Sequence, residues 1–168
     1  GLLLDDLIEA WLFNSVTVAA ALIVGGIILI LLEYGGYRER ITSVHDITFR
    51  TGLAIGCFQC VAMIPGTSRS AATIIGAMAL GASRSAAAEF SFFLAVPTML
   101  GAAVLTFLDC GFSFTMRQWG LLAAGSVVSF AVAYGVIAFL MNFIRKRSFA
   151  VFGYYRIVLG VLVLLILF

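Results

Sequence analysis

The residues of this chain with the clearest capacity for chemistry form one short run near its middle, Pro65-Gly66-Thr67-Ser68-Arg69-Ser70. The guanidinium of Arg69 presents a planar fork of N–H donors that matches the oxygens of a phosphate group. Hydroxyls flank it on both sides, and Gly66 lets a ligand approach the backbone closely. These residue types at this spacing favour an anion site, and phosphate suits such a site best.

The segment after this run adds a helix N-terminus at the same place. Ser70 is a suitable N-cap for an apolar helix at residues 71–82, whose free N–H groups would point at the run. Thr73 stands four residues after Arg69 and returns to the same helix face. A second interpretation stays open, in which Arg69 pairs with a buried carboxylate and the hydroxyls only satisfy backbone groups.

The elements that position this run must lie in lipid. Apolar residues make up 63% of the 168 positions and charged residues only 11%, whereas soluble domains carry about a quarter charged residues. Such a chain cannot cover a surface that faces water. The net charge of +2 is too small to indicate a nucleic-acid partner. We therefore expect one all-α integral membrane domain over residues 1–168, with membrane lipids around it.

Four stretches are long enough to cross a bilayer, which needs roughly 20 apolar residues. None shows the alternation of a barrel strand, so helices are predicted. The expected membrane helices cover residues 15–32, 86–108, 119–144 and 149–168.

Residues 51–82 lie between the first two spans and have a different pattern of apolar residues. They contain two apolar pieces that are each too short to span, and Pro65 and Gly66 interrupt them next to a charge. Proline breaks a helix, and paired short segments of this kind are typical of re-entrant hairpins. The sequence predicts a re-entrant hairpin with its tip at residues 65–70.

The basic residues predict the orientation. With a re-entrant hairpin, seven of them fall on one side, against Arg117 alone on the other, which indicates that the basic side is cytoplasmic. Both chain ends then face outward, and the hairpin enters from the cytoplasm. The seven residues are Arg38, Arg40, Arg50, Arg84, Arg145, Lys146 and Arg147.

Two further charged residues lie inside predicted spans. Arg156 is expected to extend along its helix to the cytoplasmic headgroups. Glu89 lies one turn into the second span. It is expected to pair with a nearby arginine, although it could also reach Arg69 or a metal ion at the substrate.

The run at residues 65–73, P-G-T-S-R-S-A-A-T, resembles the P-G-x-S-R-S-x-x-T signature of the bacterial undecaprenyl-diphosphatase (bacitracin-resistance) family. The flanking I-G-C-F-Q-C and E-F-S-F-F-L-A-V-P segments are similar to the family as well. So is the Tyr155-Arg156 entry into the last helix. The resemblance covers essentially the whole chain.

The resemblance implies a hydrolase of the bacterial inner membrane. It would remove the terminal phosphate of undecaprenyl diphosphate at the outer membrane face, recycling the lipid carrier of cell-wall synthesis. It implies that Arg69 grips the diphosphate as a catalytic residue together with Ser68 and Thr73. Gly66, Thr67 and Ser70 would serve as substrate-binding residues. The resemblance also implies dependence on a divalent cation, Mg²⁺ or Ca²⁺.

The chain departs from the family pattern in one large respect. The family fold has two inverted repeats, and the other repeat supplies an E-x-x-x-E element and a P-x-S-S-T-G-H element that carries a histidine. Neither element occurs in these 168 residues. We therefore expect the C-terminal half of the bundle, with the metal ligands in a missing N-terminal repeat and no activity in this chain alone. Partners in addition to the lipid would be that missing half or a second copy of the chain.

A transporter or flippase of polyprenyl phosphate lipids is the alternative function. Broken helices and inverted repeats are common in transporters, and an arginine that grips phosphate would suit that cargo. A purely structural membrane segment is the third class.

Overall fold

The computed structural model describes residues 12–36, 38–111 and 114–167. These residues contain six α-helices and two 3₁₀ turns, Val44–Asp46 and Cys60–Met63, and an isolated bridge is their only β pairing. The helices are α1 (Ser15–Tyr34), α2 (Phe49–Gln59), α3 (Arg69–Ala79), α4 (Arg84–Cys110), α5 (Met116–Lys146) and α6 (Ala150–Leu167).

Polar caps fix where the helices begin. The side chain of Asn14 accepts a hydrogen bond from the first turn of α1 (2.8 Å), and Thr48 and Ser83 do the same for α2 and α4. Thr115 and Gln118 form a reciprocal capping box at the start of α5. Each cap satisfies an N–H group that the helix itself leaves free.

Four of the helices, α1, α4, α5 and α6, are long and apolar enough to cross a membrane. Much of their apolar surface is exposed, as expected for side chains that face lipid. The predicted all-α membrane fold with four such helices is confirmed. α5 is longer than the predicted 119–144 at both ends, because Thr115 caps a start at Met116 and the basic end at Lys146 continues the helix beyond the apolar stretch.

α2 and α3 form the re-entrant hairpin. The connection after α1 and the connection after α3 lie side by side, since the Arg40 and Ile41 amides donate to the Gly81 carbonyl at 2.8 and 3.0 Å. The Ser83 amide returns a hydrogen bond to the Ile41 carbonyl at 2.7 Å. Both ends of the hairpin are therefore on the side where α1 ends.

An ion pair closes the same side. Arg84 at the start of α4 lies 2.6 Å from Oε1 of Glu33 at the end of α1. The Glu33 side chain is only 2% exposed, whereas the Arg84 side chain is 40% exposed, so the carboxylate is the buried partner of the pair. It reinforces the placement of the hairpin ends beside α1.

α1 and α6 make the most extensive helix–helix contact among the described residues. α1 and α6 meet at small residues spaced seven apart, Ala19 and Gly26 on one helix and Gly153 and Gly160 on the other. A Cβ added at Gly153 would come within 2.9 Å of the Gly26 carbonyl oxygen, and one at Gly160 within 2.9 Å of the Ala19 carbonyl oxygen. Close backbone contact of this kind is how helices associate in lipid.

The hairpin packs on this pair and on α4. The buried core lies in the half of the bundle near the ion pair, and α4 and α5 leave most of their surface uncovered by the described residues. The core residues are Leu29, Ile55, Ala77, Met78, Ala82, Ala86, Ala87, Ala88, Ile144 and Phe149.

Candidate functional site

The tip of the hairpin is a tight turn at the residues that the sequence singled out. The Thr67 amide donates to the Ile64 carbonyl at 3.2 Å, and Gly66 has φ +90°. Proline followed by a glycine of positive φ is typical of a type II turn. The Thr67 hydroxyl lies 2.8 Å from the same Ile64 carbonyl oxygen, so it is used to close the turn.

Gly66 allows the backbone of another helix, and not a ligand, to approach the tip closely. A Cβ at this position would lie 2.6 Å from the Val18 carbonyl oxygen and 2.8 Å from its Cα. The expected substrate-binding glycine therefore lets the tip rest directly on the backbone of α1.

The tip ends at Ser68, which is the N-cap of α3. Its hydroxyl accepts from the Ala71 amide at 3.5 Å, and the helix begins at Arg69. The prediction that Ser70 caps this helix is wrong, because the turn at the tip leaves Ser68 as the last non-helical residue. The hydroxyl of Ser70 lies 3.2 Å from the hydroxyl of Ser68. Ser68 is the only non-glycine of positive φ (63°) in the described part of the chain. A sparsely populated backbone conformation costs about 1–3 kcal/mol, and such conformations are concentrated at functional sites.

Arg69 occupies the first position of α3 and is half-buried. Its Nη1 donates to the Ser91 carbonyl on α4 at 3.3 Å. The side chain lines a cavity of about 700 Å³ between α4 and α5, together with Glu89, Arg145 and an apolar wall. The expected pairing of Glu89 with an arginine is wrong within the described residues, where Glu33–Arg84 is the only ion pair within 4 Å.

Thr73 lies beneath the tip and is completely buried. Its hydroxyl is 2.7 Å from the Ser91 hydroxyl, 3.1 Å from the Arg69 carbonyl oxygen and 3.0 Å from that of Ser70. A hydroxyl carries one hydrogen, so Thr73 donates toward one of the carbonyls while Ser91 donates to it. In this arrangement Thr73 fixes the first turn of α3 to α4.

Arg156 is placed very differently from the prediction. The residue is only 7% exposed, and its Nη2 donates to the carbonyls of Ala21 on α1 and Gly66 in the tip, both at 3.2 Å. The expectation that it reaches the headgroups is wrong, because Gly25 leaves the space for its guanidinium against α1. The signal in the sequence is an arginine inside an apolar span, and such a residue can be buried against another helix as well as extend to the headgroups.

The site residues thus divide between two cavities. Ser68 and Ser70 line a cavity of about 370 Å³ together with Arg156, whereas Arg69 opens into the larger cavity between α4 and α5. The first turn of α3 contributes residues to both cavities.

The described residues do not fit a divalent-metal site. No three His, Cys, Asp or Glu side chains come together among them, and Glu89 is the single carboxylate that lines the Arg69 cavity. Divalent cations such as Mg²⁺ and Ca²⁺ need several oxygen ligands.

Comparison with known proteins gives a consistent result. The family described as "Bacitracin resistance protein BacA" matches residues 1–162. The chain is 56% identical to "Undecaprenyl-diphosphatase 1" of Clostridioides difficile over 98% of its own length and 60% of that protein. It is 50% identical to the undecaprenyl-diphosphatase of Fusobacterium nucleatum (100% and 65%) and 49% identical to that of Pseudomonas aeruginosa (98% and 59%). The chain spans about three fifths of the length of these curated relatives.

Proposed function

Because the chain belongs to the bacitracin resistance protein BacA family, we propose that the protein hydrolyses undecaprenyl diphosphate to undecaprenyl phosphate and orthophosphate. The names of its relatives support this substrate. The proposal rests on one observation about Arg69. Its half-buried guanidinium lies at the N-terminus of α3, and no carboxylate of the described residues lies within 4 Å of it. An uncompensated cation in a membrane needs an anion, and a diphosphate headgroup supplies one.

The chemistry of the site follows from its donors. In hydrolysis, water attacks the terminal phosphorus and the bond to the bridging oxygen breaks, so negative charge moves onto the leaving lipid phosphate. Arg69 and the free N–H groups of the first turn of α3 are fixed donors for these oxygens. The exposed hydroxyl of Ser68 adds a third donor beside them. These groups bind and orient the diphosphate.

The other predicted residues support this arrangement from beneath. Gly66 and Thr67 shape the tip, Ser70 adds a hydroxyl at its edge, and Thr73 holds the first turn of α3 against Ser91. We propose that the role of Thr73 is to hold the first turn of α3 in place.

The position of the tip suits a lipid substrate. α3 has 11 residues and rises about 16 Å, which is about half of the roughly 30 Å hydrocarbon core. We propose that the basic side is the cytoplasmic side of the bacterial inner membrane and that the headgroup enters from outside. We also propose that the expected Mg²⁺ or Ca²⁺ acts with ligands beyond the described residues.

The test is phosphate release from a polyprenyl diphosphate in detergent by the full-length protein. Removing one fixed donor to a developing oxyanion costs about 10²–10³ in rate, so we expect Arg69→Ala to lose at least this much. Arg69→Lys should also be badly impaired, because lysine keeps the charge but lacks the planar fork. Arg117→Ala, an exposed arginine at the other end of the bundle, is the matched control.

Variants are compared only when they elute as folded protein with unchanged helicity. If Arg69→Ala kept more than half of the control rate, the proposed site would be wrong. A protein that carried the lipid across vesicles without releasing phosphate would instead be a transporter.

A further inference from the structure

A second guanidinium lies beside the tip without an anionic partner. Arg156 is 7% exposed, and no carboxylate lies within 4 Å of it among the described residues. Its Nε is buried and has no hydrogen-bond partner there. Because a cation at the centre of a membrane costs about 2.5 kcal/mol or more, a buried arginine of this kind calls for an anion.

The surroundings of Arg156 offer a place for one. The cavity of about 370 Å³ that it lines also contains the Ser68 and Ser70 hydroxyls, and it lies at the N-terminus of α3. The rest of the lining is largely apolar, with Leu22, Leu29 and Phe92 among its residues. Donors at one end and apolar walls elsewhere match a phosphate group attached to a hydrocarbon chain.

The guanidinium is also held in place in advance. The carbonyls of Ala21 and Gly66 accept from its Nη2 at 3.2 Å each, which ties α1, α6 and the tip together. A Cβ at Gly25 would lie 2.6 Å from the same nitrogen, so the glycine leaves the space that the guanidinium needs. Donors that are fixed before the ligand arrives bind it without a further ordering cost.

We propose that this cavity is a second phosphate subsite, in which Arg156 and Ser68 bind one phosphate of a diphosphate while Arg69 binds the other. The two arginines line neighbouring cavities that share Phe92 and that both include residues of the first turn of α3. A diphosphate would bridge them, whereas a single phosphate group can occupy only one. The identity of the ligand rests on the proposed function, whereas the existence of the subsite does not.

The test measures binding of inorganic pyrophosphate and orthophosphate to the full-length protein by calorimetry, with a polyprenyl diphosphate as a third ligand. Pyrophosphate should bind more tightly than orthophosphate. Arg156→Gln should weaken pyrophosphate binding at least tenfold and bring the ratio of the two dissociation constants close to one. Arg156→Lys should retain part of the preference. Arg147→Gln removes an exposed charge and should leave the ratio unchanged.

Gly25→Ala displaces the guanidinium without removing its charge, and it keeps the test decisive if Arg156→Gln does not fold. It should also lower the ratio at least threefold. Gly56→Ala is its control, because a Cβ there meets nothing within 4 Å. A purely structural role for Arg156 would lower the unfolding temperature and leave the ratio intact.

An unchanged ratio in the folded variants would overturn the subsite. The proposed function fails separately: if the wild-type protein released no phosphate while Arg156 still set the preference for pyrophosphate, the subsite would stand and the hydrolysis would not. Binding of the polyprenyl diphosphate alone, with no binding of either inorganic ligand, would show that the apolar walls and not Arg156 hold the lipid.

Discussion

Replacing Thr73 with valine tests whether this residue holds the first turn of α3. The two side chains have nearly the same shape, so the change removes a hydroxyl without leaving a cavity. Thr73 is 0% exposed and its partner Ser91 is 1% exposed, and their oxygens are 2.7 Å apart. Ser91 would be left with an unsatisfied buried hydroxyl, which costs about 1–3 kcal/mol. We expect the free energy of unfolding to fall by that amount.

The assay is reversible unfolding in mixed detergent, followed by circular dichroism. Thr106→Val is the matched control, because Thr106 makes a similar backbone contact (3.0 Å) on the exposed face of α4. It should change the free energy of unfolding by less than about 0.5 kcal/mol. Thr73→Ser keeps the hydroxyl and should keep most of the stability.

A double-mutant cycle with Ser91→Ala isolates the pair. In a protein that carries Ser91→Ala, Thr73→Val no longer leaves a buried hydroxyl at position 91 without a partner. The loss of unfolding free energy in the double variant should therefore be smaller than the sum of the two single losses by at least about 0.5 kcal/mol. Strict additivity, or a loss for Thr73→Val no larger than for Thr106→Val, would refute the reasoning. Phosphate release that fell far more than the folded fraction would mean that Thr73 touches the substrate.

The remaining predictions concern orientation and helix packing. The orientation is tested with an impermeant maleimide in a background in which alanine replaces Cys57 and Cys60. In intact cells the reagent should label Cys110, and it should label a Thr42→Cys variant only after the cells are permeabilised. The reverse pattern would invert the orientation. Gly153→Ala brings a Cβ within 2.9 Å of the Gly26 carbonyl oxygen, and we expect it to lower the free energy of unfolding by about 1–3 kcal/mol. Its control, Gly135→Ala, meets nothing within 4 Å, and equal effects in thermal unfolding would contradict the close contact of α1 and α6.

The sequence predicts most of the fold because the membrane limits the choices. Length and hydropathy identify a spanning helix, and a proline followed by glycine in an apolar segment identifies a break. Pro65 and Gly66 therefore revealed the hairpin. Helix ends are harder to predict, because Ser68 and Ser70 are both acceptable caps and the turn at the tip decides between them.

The site was harder to predict, because its arrangement depends on contacts between distant parts of the chain. Nothing near Arg156 in the sequence indicates that Gly25 leaves room for it on another helix. A spanning helix in lipid is apolar on all faces, so periodicity does not show which face is buried. The same holds for Glu89, whose neighbours at the cavity come from α3 and α5.

The contact of α1 with α6 has a consequence for biogenesis. Arg156 and its acceptor Ala21 are 135 positions apart, so α1 emerges from the ribosome long before α6 exists. Until α6 is made, the glycine face of α1 lacks its packing surface and the hairpin tip lacks the donor to Gly66. Pairings of such high sequence separation form late and slowly. Premature termination before α6 would thus leave an insertion intermediate with an unsupported hairpin, a natural substrate for membrane proteases.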